Sequence, residues 1–222
     1  MNFRIQEVLK NIIPGLLTLV SIYFLTSPSL DLSHFKNEIK ELLAIYFVVF
    51  LAAVYVFGYF VDWAGSWFER LFYKIWPRPS FYLLNDVNGR INLLKSSEIV
   101  DFLCDVSNRA VQSPLSRENA EAIFKVANYL KDKNTSKQVN DRIGESYFSQ
   151  IFSRNLCVSF FFSFIGYVCI YFFNEESCVG NFNQRSFILI GLGVVTIFRW
   201  REHAFYYSRN VLYASCEDVL RL

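Results

Sequence analysis

Methionine occurs once in 222 residues, histidine twice, cysteine five times, proline five times and glycine nine times. Each scarcity closes a class of function. Five scattered cysteines do not make a disulfide scaffold. Two histidines, His34 and His203, sit in segments expected on opposite sides of a membrane, so a shared metal site within one chain is not expected. The few glycines form no phosphate-cradling loop, and GxSxG, HExxH, paired CxxC and EF-hand runs are all missing. Net charge is only +2, which excludes a strongly basic nucleic-acid binder. The chain is instead apolar: 53% hydrophobic, with 24 phenylalanines, too hydrophobic for intrinsic disorder.

Charge is also missing locally. Four windows carry none: Asn11–Pro28, Leu42–Val61, Leu156–Phe173 and Ser186–Phe198. A helix crosses a bilayer core of about 30 Å with about 20 mostly apolar residues. The first three windows reach that length. The fourth reaches it as Phe182–Trp200 if Arg185 and Arg199 snorkel to the two interfaces. The alternative for the fourth is a buried core helix, and for the first a cleaved leader. Four retained spans are expected, because they put both termini on one side, as the flanking charges ask. Lys and Arg concentrate in the N-terminal tail, in the segment between spans two and three (Arg70, Lys74, Arg78 and Arg154 near its ends) and in the C-terminal tail. The positive-inside rule therefore assigns these three segments to the cytoplasm. The expected architecture is all-α: a four-transmembrane-helix protein with a small helical cytoplasmic insert between spans two and three. Its parts are a first helix pair (1–62), a cap (63–155), a second pair (156–200) and an amphipathic tail (201–222).

The insert opens with Trp63, Trp67 and Leu71 at helical spacing, read as span two running on until Pro77 and Pro79 stop it. Asn85, Asp86, Asn88 and Gly89 between apolar flanks suggest a turn or small hairpin over Phe81–Lys95. Three helices follow. One starts at Ser97, with Ile99, Phe102, Leu103 and Val106 on one face. A second follows Pro114 and Ser116, with Ile123, Ala127 and Leu130. A third starts at Ser136, with Val139, Ile143, Tyr147 and Ile151, and enters span three without a break. So small a cap has a thin core and is expected to lean on neighbouring chains or on the membrane.

Several residues stand out. Ser159, Ser163 and Gly166 share a face of span three, and Gly191 and Gly193 lie in span four; small residues let membrane helices approach, either within one chain or at an oligomer seam. Trp63, Trp67, Trp76, Trp200, Arg199 and Arg201, with Phe205, Tyr206 and Tyr207, read as interfacial anchors. Lys131, Lys133 and Lys137 form a mildly basic turn, either solvated or holding a phosphate or an acidic partner. Asp62 ends span two, facing water or pairing with Arg154 or Arg199. Pro14-Gly15 is expected to kink span one. Cys178 lies alone outside, a free thiol or an intermolecular disulfide. The tail residues Val211, Leu212, Ala214, Val219 and Leu220 suggest a helix that packs on the cap or on a neighbour.

The layout resembles small bacterial membrane subunits of anti-phage systems, the Kiwa membrane subunit among them: a short N-terminus, Pro-Gly in span one, a helical insert after span two and a basic-aromatic tail. The resemblance covers the whole chain and rests on architecture, with no motif on which to carry functional residues. It implies a homotetramer in the inner membrane that senses infection and works with a cytoplasmic partner. The expected function is thus non-enzymatic, with no cofactor, no metal and no direct nucleic-acid contact. The alternatives are a ligand-gated pore lined by Thr18, Ser21, Ser159, Ser163 and Thr196, and a lipid-acting enzyme using Asp62 with His203.

Overall fold

The computed structural model describes residues 3–26, 43–85, 96–106, 115–134, 137–173 and 182–216. Every element among them is a helix: α1 Phe3–Thr26, α2 Leu43–Ile75, α3 Pro79–Asn85, α4 Ser96–Val106, α5 Arg117–Asn134, α6 Lys137–Phe173 and α7 Phe182–Ser215. The connections carrying His34, Lys36 and Lys40, residues 86–95, Pro114, Ser136, Cys178 and the last six residues lie outside the described part. So do the side chains of Ile99, Lys133, Lys137 and Arg185.

Two of these helices, α2 and α6, are long and apolar enough to cross a membrane. At 1.5 Å per residue their 33 and 37 residues run about 50 and 55 Å, well beyond a bilayer core of about 30 Å. The apolar stretch of α1 is shorter, Val8–Ser21. That of α7 is confined between Arg185 and Arg199.

The helices divide into two compact units. The first comprises residues 1–69 and 151–200. Its seam on α2 is Val54, Gly58, Val61 and Gly65, all buried, at alternating spacings of four and three. Val8, Phe47–Leu51, Val56, Phe60, Trp63 and Trp67 point outward instead.

The second unit comprises residues 70–150 and 201–222. Its core takes Leu83 and Leu84 from α3, Leu103 and Cys104 from α4, Ala120, Ile123 and Ala127 from α5, Ile143 from α6, and Val211, Leu212 and Ala214 from α7. The cap therefore does not stand on residues 70–150 alone: the C-terminal part of α7 completes its core, as the apolar spacing of the tail suggested. Helices α4, α5 and α6 begin within a residue of the expected starts. Ser116 Oγ accepts from Asn119 N–H at 3.2 Å and caps α5. Arg117 donates to the carbonyls of Lys74 and Ile75, at 3.3 and 3.4 Å, and so satisfies the end of α2.

Four expectations are corrected here. The start of the supposed hairpin is helical: Pro79 opens α3 at a position where its missing N–H costs nothing. Asn85 then ties α3 to Leu115, accepting from its N–H at 2.6 Å and donating to its carbonyl at 3.1 Å. Val106 is exposed, because Leu103 and Cys104 define the inner face of α4. Phe205 and Tyr207 pack on the core of the second unit, Phe205 near Tyr82 and Tyr207 near Phe124 and Tyr147, so they are not surface anchors. The basic run 131–137 is mostly helix, in α5 to Asn134 and in α6 from Lys137.

Candidate functional site

The first unit buries a polar cluster where α1, α2 and α6 meet. It starts from a proline. Pro14 sits inside α1 and has no N–H, so the carbonyl of Lys10, four residues back, loses its helical donor. Asn155, fully buried on α6, donates its Nδ2 to that carbonyl at 3.4 Å. The same amide donates to Asp62 Oδ1 at 3.0 Å. One side chain thus satisfies the proline's orphan and reaches a carboxylate on α2. Helix α1 runs unbroken through Pro14.

Arg154 completes the cluster. Its side chain is 8% exposed and lies between two carboxylates on α2. Nη2 meets Asp62 Oδ1 at 2.6 Å and Nη1 meets Glu69 Oε2 at 2.7 Å. Nε and Nη2 also donate to Asn155 Oδ1, both at 3.3 Å. A guanidinium fork suits this task, because its donors diverge in a plane toward separate acceptors. Seven residues separate Asp62 from Glu69, two helical turns, so both carboxylates stand on one face. The water-facing reading of Asp62 gives way to the ion pair, and the partner is Arg154.

Glycines make the approach possible. A Cβ on Gly58 would run into the backbone of Asn11, and one on Gly15 would lie 2.8 Å from Gly58 N. A Cβ on Gly65 would lie 2.9 Å from both Arg154 Nε and Asn155 Oδ1. So Gly15 and Gly58 bring α1 onto α2, and Gly65 makes room for the charged pair. Above the cluster, Ser159 Oγ donates to Pro14 O at 3.1 Å or Asn155 O at 2.9 Å, and Ser163 Oγ to Ser159 O at 2.8 Å. Thr18 Oγ1 donates to Pro14 O at 2.9 Å. Asn11 Oδ1 is buried with no hydrogen-bond partner among the described residues, at a cost of about 1–3 kcal/mol.

The singled-out residues scatter around this lock. Ser159 and Ser163 are buried inside the chain, so the intrachain reading holds for them; Gly166 is half-buried. A Cβ on Gly191 or Gly193 would meet nothing within 4 Å, so neither is a close helix contact among the described residues. Trp63, Trp67 and Trp76 are exposed as anchors require, as is Arg199, while Arg201 stacks over Tyr82 at 5.6 Å. Trp200 is the exception. It is fully buried with Phe68 at 5.9 Å, which removes it from any surface belt. Lys131 bonds Asn128 Oδ1 at 3.2 Å on its own helix. Sequence reasoning missed Gly15, Gly58 and Gly65 as contact glycines, although the alternation Val54, Gly58, Val61, Gly65 was there to read. It also missed Glu69 and Asn155.

No three His, Cys, Asp or Glu side chains among the described residues are placed to hold a metal ion. No protein-family model matches the chain, and no curated protein or solved structure does.

Proposed function

We propose that the chain is a multi-pass protein of the bacterial inner membrane that couples a membrane event to a cytoplasmic partner. It crosses the bilayer four times with α1, α2, α6 and α7 and keeps both termini and the second unit in the cytoplasm. The observation that carries this reading is the inverted first unit. Among its described residues it buries nearly as many polar side chains as apolar ones, and it turns phenylalanines, valines and tryptophans outward. Water penalises such a surface, whereas lipid tails do not. The lock then holds three spans in one arrangement, and copies assemble through the exposed apolar faces, as a tetramer on the architectural resemblance. Sensing of phage infection is the role that the same resemblance suggests. The chemistry is binding and coupling, not catalysis.

Carbonate extraction and reporter fusions test the topology. The protein should stay with membranes, with fusions after Thr26 reporting outside and fusions after Leu222 reporting inside. Deletion in a strain that carries the system should abolish phage protection, and a cytoplasmic protein should co-purify in detergent. Release by carbonate overturns the membrane reading. Sustained ion flux through the purified protein in liposomes replaces coupling by a pore.

A further inference from the structure

A groove of about 310 Å³ lies between α6 and α7, apart from the polar lock. At one end Cys157 of α6 hydrogen-bonds Thr196 of α7, and Phe68 of α2 meets Trp200 at 5.9 Å; at the other Tyr167 and Leu189 cluster with Phe160 and Phe164. Between those contacts α6 and α7 leave the groove open. Gly193 lines the gap, and a Cβ there would meet nothing within 4 Å. From Leu189 to Ile197 the groove runs about 12 Å along α7, close to the roughly 15 Å of one leaflet's hydrocarbon. Its mouth is formed by Phe161, Ile190 and Val194, which are 53%, 46% and 45% exposed. That mouth shares α7 with the outward-facing Phe187, Ile188 and Val195.

The shape and lining select the occupant. Ordered water needs two to four polar partners, and walls of phenylalanine, leucine, isoleucine and valine with the single thiol of Cys157, already bonded to Thr196, do not supply them. A second copy's helix is about 10–12 Å across and would rest on the groove without entering it. A single file of methylenes fits, and it arrives sideways from the bilayer through an apolar mouth. We propose that this groove holds one acyl chain of a membrane phospholipid, bound along α6 and α7 in place of helix–helix contact. The proposal rests on the membrane reading above.

The full chain in phosphatidylethanolamine vesicles, doped with a lipid carrying a mid-chain diazirine, provides the test. After illumination, adducts should concentrate on Val158–Phe164 and Ile190–Val194. Gly193→Phe fills the groove from its wall and should lower those adducts about tenfold. Gly191→Phe places the same ring on the same helix outside the groove and should leave them within about twofold. Val194→Trp closes the mouth and should repeat the Gly193→Phe result, so the test survives a variant that does not fold. Adducts spread evenly over Phe187, Ile188 and Phe198, or unchanged in both groove variants, overturn the acyl site and leave the membrane reading standing. Protein that washes off the vesicles and takes no label overturns both.

Discussion

The two units solve burial in opposite ways. The second hides leucine, isoleucine and alanine, and the serines it buries are few. The first hides arginine, asparagine, serine and threonine behind an apolar exterior. In the second unit the hydrophobic effect supplies the driving force, at roughly 25 cal/mol for each Å² of apolar surface removed from water. In the first, surrounded by lipid on the reading proposed, apolar packing against a neighbour gains little over apolar packing against lipid. Cohesion there must come from close backbone approach and from polar groups that find partners only inside. Pro14, Asn155 and Arg154 are such groups. One chain thus carries two definitions of a core, each matched to a different solvent.

The largest expected effect breaks the polar side of that contrast. Arg154→Met leaves Asp62 and Glu69, two turns apart on one face of α2, without their shared cation, and each is about a quarter exposed. Removing one partner of a buried pair costs about 3–5 kcal/mol. Thermal unfolding in detergent should show a loss near the lower end, since both carboxylates retain some solvent. An unchanged midpoint would mean that the guanidinium is ornamental. Its counterpart in the second unit is Ile123→Ala, which empties a fully buried site and should cost about 3 kcal/mol. The two losses should differ in one respect. High salt should soften the effect of Arg154→Met and leave that of Ile123→Ala unchanged.

Glycine gives a sharper version. Gly58→Ala drives a methyl into the Asn11 backbone, which no rotamer change relieves. We expect about 2 kcal/mol of destabilisation. Gly144, in the part of α6 that belongs to the second unit, has open space around it. Gly144→Ala should stabilise by about 0.5–1 kcal/mol through helix propensity alone. Equal effects at the two positions would dissolve the claim that α1 and α2 need contact glycines.

How much of this could be read in advance follows the same division. Helix starts in the second unit were legible, because Ser, Pro and apolar spacing report on local structure, and α4, α5 and α6 begin where those signals stand. The inward faces of α5 and of the tail were legible too, since Ile123, Ala127, Val211 and Leu212 obey the water rule. The first unit was harder. Apolar windows announce helices that suit lipid, but inside lipid hydrophobicity no longer says which side faces in. Trp200 reads as a surface residue and is buried, while the close helix contacts within the chain fall to Gly15, Gly58 and Gly65. The Asp62–Arg154 pair was one of two open readings. It is a contact between residues 92 apart, and nothing local distinguished Arg154 from Arg199 as the partner.

Alkaline pH probes the second core. Burial pushes the thiols of Cys104 and Cys216 above their ordinary 9.0, helped at Cys104 by Asp101 and opposed at Cys216 by a hydrogen bond with Ser215. An acid with a raised folded pKa favours the folded state below its unfolded pKa and loses that contribution as pH climbs through the folded value. Stability should therefore fall above about pH 9, and the double Cys→Ser variant should flatten the slope. In the folded protein both buried thiols should react with maleimide more slowly than in the unfolded chain.

The smallest expected effect completes the comparison with a pair of the same chemistry. Arg78 and Glu121 approach to 3.7 Å in the second unit, with both side chains 43% exposed. Arg78 also lies 5.5 Å from the centre of the Tyr73 ring. Water screens the pair and hydrates whichever partner is left behind, so Arg78→Ala should cost no more than about 0.5 kcal/mol. The contrast between the two losses then reports chiefly on burial: both sites join an arginine to carboxylate, but Arg154 holds two carboxylates inside the first unit and Arg78 holds one at a solvated surface. Similar losses at the two sites would mean that the first unit's charges are hydrated after all, and that its apolar exterior needs an explanation other than lipid.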